Sequence, residues 1–124
     1  MSEQNEINID YLHKLVVQES ENDAIQQISS NLYNSISEFL KNLKNEKHDG
    51  IEEKITQALI TMVTDTTSIL LKLRLEKATL ENSNKSILLN EEKYILDSRT
   101  EMVERRETIL SGILNGKPHS LDVQ

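Results

Sequence analysis

The chain has 124 residues and a formal charge of −7 at neutral pH, with no cysteine, no tryptophan, one proline and three glycines. That is the length of one ordinary domain, made of residues that tolerate helix and poor in those that break it. Within this chain thiolate catalysis, disulfides and cysteine-type zinc sites are excluded, and the acidic balance argues against a surface built to neutralise phosphates.

The first stretch, MSEQNEINIDYLHKL, is acidic and polar, unlike a signal peptide. No apolar run approaches the ~20 residues that cross a bilayer, so the expectation is a soluble intracellular protein with no membrane partner. In INIDYLHKLVVQES, Ile9, Leu12, Val16 and Val17 follow helical spacing. They predict a short helix over roughly residues 8 to 18, ended by the polar run ESEND.

A second helix is expected from about Ser30 to about Lys47, with Leu32, Tyr33, Ile36, Phe39, Leu40 and Leu43 on one face. KHDG closes it, and Gly50 reads as a turn residue. The third segment, IEEKITQALITMVTDTTSILLKLRLEKATLE, is the longest uninterrupted helical pattern. Ile51, Ile55, Leu59, Met62, Val63, Thr66, Ile69, Leu70, Leu73 and Lys77 form its stripe. At SILLKLRL the apolar residues spread around the helix, which predicts burial on more than one side and the centre of the fold.

ENSNKS breaks the pattern with turn-favouring residues. A fourth helix follows, capped by Asn90, with Glu91 and Glu92 where the helix dipole favours acids. Ile95, Met102 and Ile109 recur every seven residues, and Leu96, Val103 and Leu110 repeat that spacing one residue on, with Ile113 and Leu114 extending the face. Two adjacent rows are wider than the single seam of a two-stranded zipper. Gly116 sits at a C-terminal cap position with Pro118 beyond it, and residues 117 to 124 read as a linker or tail. The expected fold is all-α: an irregular bundle of four to five helices, two of them long and antiparallel, over residues 1 to 116.

Chemistry finds little foothold. His13, His48 and His119 fall on a helix, a loop and the tail with no shared set of ligands, so no metal is expected. No nucleophile elbow or glycine-rich phosphate cradle appears, and the paired acids at helix starts are explained by the dipole. The expectation is a protein that is not an enzyme and takes no cofactor. Lys72, Arg74, Lys77, Arg105 and Arg106 are interspersed with Glu76, Glu101, Glu104 and Glu107, which argues against strong direct nucleic-acid binding. Arg106 falls in the stripe of Met102, Ile109 and Ile113 and is read as pointing toward a packed side. Either its stem covers apolar surface or it makes an ion pair across a subunit boundary.

NLYNSISEFL, ILLKLRLEKA and LLNEEKYILDSRTEMVERRETILSGILNG, in that order after a short first helix, resemble the helical domain of archaeal GINS subunits. The likeness covers most of residues 8 to 116. In that family the long helix carries Arg-x-x-Lys near its end, matched by Arg74 and Lys77. Its last helix opens with paired Glu before an aromatic, matched by Glu91, Glu92 and Tyr94. The chain departs from the family in having Asn90 where a proline usually stands, in lacking a proline before the second helix, and in carrying too few residues after Gly116 for the small C-terminal β domain. The resemblance implies a DNA-replication scaffold of the replisome, a helicase accessory factor that assembles with itself or a sister GINS subunit into a tetramer. It would link the MCM helicase to a Cdc45 or RecJ-like protein in the cytoplasm of an archaeal cell, near the nucleoid. The candidate subunit interface is Leu70, Leu73, Arg74, Lys77, Ile95, Met102, Arg106, Ile109 and Ile113. Composition and periodicity alone fit a second reading equally, a helical adaptor or regulatory module unrelated to replication.

Overall fold

The computed structural model describes residues 7–80 and 82–116. The tail read as a linker, with Pro118 and His119, lies outside them. The described residues are all-helical: α1 (Ile9–Glu21), α2 (Leu32–Asn45), α3 (Gly50–Ala78) and α4 (Asn90–Leu114), with one 3-10 turn at Lys85–Ile87 before α4.

Each helix begins where local chemistry permits. The Asn8 side chain accepts a hydrogen bond from the Tyr11 N–H at 2.8 Å, so α1 starts one residue later than expected and runs on to Glu21. Gly50 closes no helix; it is the first residue of α3, held at φ +60, where a side chain would be strained. Asn90 does not cap α4, because Leu89 takes that position and its N–H donates to the Glu92 carboxylate at 2.8 Å. The far end of α4 follows expectation, with Gly116 at φ +73 donating back to the Ile113 carbonyl at 3.1 Å.

The core is aliphatic and lies where α1 and α2 pack on α3. Leu12, Leu15, Leu32, Ile36, Val63, Leu70 and Leu89 are buried together, with Tyr33, Phe39, Leu40 and Leu59 packed around them. A second, smaller cluster of Ile25, Ala78 and Leu88 with Leu96 against it fastens the start of α4. The stripe expected along α3 is rotated from the observed one. Thr56, Val63, Leu70, Arg74 and Ala78 face inward, whereas Ile51, Ile55, Met62 and Ile69 are exposed. At SILLKLRL burial does reach around the helix, with Leu70 and Arg74 buried and Leu71, Leu73 and Leu75 half-buried, whereas toward the N-terminal end of α3 a single side is covered.

Candidate protein interaction surface

Four charged side chains meet inside this apolar body. Arg74 is fully buried, and its guanidinium grips Glu92 as a fork, Nε to Oε2 at 2.7 Å and Nη2 to Oε1 at 3.1 Å. Its Nη1 also donates to Glu19 Oε1 at 3.0 Å and to the Gln26 carbonyl at 2.6 Å. Lys77 Nζ, one turn further along α3, donates to Glu19 Oε2 at 2.7 Å and to the Glu19 and Ala24 carbonyls. No basic residue stands in the last turn of α1, so Lys77 supplies from α3 the cation that this negative helix end favours.

The Tyr33 hydroxyl of α2 donates to Glu92 Oε2. With two bonds from Arg74 and one from Leu89 N–H, both oxygens of that carboxylate are engaged. Two cations and two carboxylates cancel, and no buried side-chain polar atom among the described residues lacks a partner. Burial alone would lower the pKa of Arg74, but hydrogen bonds and charge from Glu92 and Glu19 reverse this and raise it. Burial, with the bond to Glu92, pushes the Tyr33 hydroxyl far above its ordinary range. Every helix contributes to this cluster: Glu19 from α1, Tyr33 from α2, Arg74 and Lys77 from α3, Glu92 from α4.

The expected interface residues therefore divide. Leu70 and Arg74 are enclosed by their own chain, and Lys77 is largely so, because the ionic cluster and the core hold them. Leu73 is half-buried. Ile95, Met102 and Ile113 are exposed, and Ile109 is only partly covered. Arg106 does not turn toward a packed side of this chain; it is two-thirds exposed, with only a distant contact to Glu107 at 3.9 Å.

Glu92 is the one buried residue of α4. Beyond Leu96 almost every residue is exposed, over about 27 Å from Asp97 to Leu114 at ~1.5 Å per residue, and Arg99, Val103 and Glu104 border a shallow groove with Ala78, Thr79 and Lys85. Met102 is 64% exposed and Ile113 56%, with Val103, Leu110 and Leu114 beside them. The two apolar rows read from the sequence thus stand uncovered on this segment. On α3, Ile51, Ile55, Met62 and Ile69 form a further uncovered row. Apolar residues aligned along two helices make these the candidate contact surfaces of the chain, unlike scattered single ones.

No group of histidines and acids that could hold a metal occurs among the described residues. Among the described residues no helix is long and apolar enough to cross a membrane. No family model, curated protein or solved structure matches the chain.

Glu19 and Tyr33 are the members of the ionic cluster to which the sequence assigned no polar role. The signal for Glu19 was present: it stands four residues after Leu15 and seven after Leu12, on the buried stripe of α1. A lone acid on one apolar stripe and a lone arginine on another, at Arg74, point to a buried pair.

Proposed function

We propose that this chain is a non-enzymatic scaffold of the GINS type, acting in DNA replication. It would assemble with itself or a sister subunit and connect the MCM helicase with a Cdc45 or RecJ-like protein. The observation that carries the reading is the largely uncovered two-row face of α4 beyond Leu96, which has the apolar width of an assembly surface. The resemblance supports it from a second side. Two of the matched motifs, Arg74-x-x-Lys77 and the Glu91–Glu92 pair, meet through the bonds of Arg74 to Glu92, 18 residues on. A motif pair of that kind serves the folded shape of the domain, as expected of a scaffold with no chemistry of its own.

The test is the mass of the purified chain by light scattering, alone and mixed with a candidate sister GINS subunit, followed by capture on immobilised MCM helicase. A tetramer or mixed complex that retains MCM is the expected result. A strict monomer in both conditions with no MCM bound would leave the unrelated helical adaptor as the better reading.

A further inference from the structure

The row of α4 that is buried at its start continues outward with charge of the opposite sign. Glu92, Arg99, Arg106 and Ile113 follow one another at seven-residue spacing, so all four lie along one side of the helix. At about 100° per residue this row runs down the middle of the apolar arc, with Ile95, Met102 and Ile109 on one flank and Leu96, Val103 and Leu110 on the other. Glu92 displays what the row does when covered: its charge is fully buried and held by the opposite charge of Arg74. Arg99 and Arg106 occupy the next two places on the row and are exposed. Among the described residues Arg99 forms no ion pair, and Arg106 has only its sequence neighbour Glu107 at 3.9 Å. The other acids of this segment, Asp97, Glu101 and Glu104, lie toward the opposite side of the helix.

We infer that the free segment of α4 takes an acidic amphipathic helix of a different chain, which lays apolar side chains along both flanks and sets one carboxylate against each of Arg99 and Arg106. This rests on the reading of α4 as an assembly surface and specifies the partner it selects. The chain itself fits poorly. Pairing α4 with α4 brings two cationic rows together, a like-charge arrangement that specific helix pairs avoid. The other uncovered row, on α3, continues from Ile69 to Glu76 and has Asp65 beside it, but these two acids stand eleven residues apart rather than seven, and the residues seven places from Asp65 are Lys72 and Ala58 while the one seven places before Glu76 is Ile69. A helix presenting Asp65 to one arginine therefore presents a cation or a methyl group to the other. An acidic partner answers both, and the arginine fork holds a carboxylate in a fixed orientation that fixes register.

The experiment uses the full chain and two stapled helical peptides with the same apolar seam, one carrying Glu and the other Lys at two positions seven residues apart. Binding is read by fluorescence anisotropy and the mass of the chain by sedimentation. The Glu peptide is expected to bind roughly tenfold more tightly than the Lys peptide in moderate salt, and the R99E/R106E double variant to reverse that order with unchanged helix content. Equal binding of the two peptides overturns the inference. So does a stable oligomer of the chain alone that Met102→Asp disperses, although assembly through α4 would then stand. If neither peptide binds and Met102→Asp alters no association with a sister subunit, the assembly reading falls as well.

Discussion

At the scale of single residues, the fold turns on a guanidinium. Arg74 makes four hydrogen bonds to groups from α1, the segment after it, and α4. Removing it leaves Glu92 and Glu19 as buried carboxylates with part of their compensation gone, and a broken buried pair costs far more than an absent one. Arg74→Ala is expected to lose about 3–5 kcal/mol in urea unfolding followed by circular dichroism. Arg74→Lys should recover little of this, because an ammonium cannot reproduce the fork onto Glu92. His48 offers a gentler contrast at the turn into α3, where its ring stands 3.0 Å from Glu46 and 3.6 Å from Glu52. The hydrogen bond to Glu46 raises its pKa, partial burial opposes this, and the Glu46 and Glu52 charges add to the rise. The protonated ring therefore favours the folded turn. That contribution is fully present below the ordinary histidine pKa and is lost as pH rises through the elevated folded-state value. An NMR titration should place the His48 midpoint above 6.5, and His48→Gln should remove that portion of the pH dependence.

At the scale of helices, α4 combines two environments in one element. Its first turns are held by Glu92 and by Leu96 against the cluster of Leu88 with Ala78, Asp97 to Glu104 border a shallow groove with Ala78, Thr79 and Lys85, and the residues from Arg105 onward are almost all exposed. Isolated helices of this length are marginal in water, and exposed ion pairs such as Glu101 with Arg105 at 3.8 Å add only a few tenths of a kcal/mol. In hydrogen exchange, amides from Asp97 to Leu114 are expected to exchange much faster than those around Val63 and Leu70, and to slow when a partner helix is added. Uniform protection along α4 in the lone chain would contradict this. Much of this architecture was legible in the sequence. The four helices, the break at ENSNKS and the Gly116 end followed from periodicity and turn chemistry. The inward face of α3 was misjudged, because its apolar residues serve two surfaces and periodicity alone does not say which is covered at home. The start of α4 was misplaced by one residue because Glu92, reaching back to the Leu89 N–H, does the capping that Asn90 was expected to do. The ionic cluster stayed hidden for a different reason: its members are tens of residues apart, and pairing across the chain leaves no local spacing to read.

For the molecule as a whole, a formal charge of −7 coexists with a buried cluster of zero net charge and a cationic row down the apolar face of α4. The two signs are thus separated, the acidic excess over the chain as a whole and the exposed arginines along one row of α4. The interior cluster has a further consequence, for the order in which the molecule is made. Glu19 binds Arg74 across 55 residues, and Tyr33 binds Glu92 across 59. While synthesis proceeds from the N-terminus, α1 emerges with a carboxylate that has no cation to meet, and α2 with a hydroxyl that has no acceptor. The polar contacts of α1 wait for the far end of α3, and that of α2 for the first turn of α4. The last polar partner of the interior is thus also among the last parts of the domain to be made, and the cluster is complete only once Glu92 has joined it.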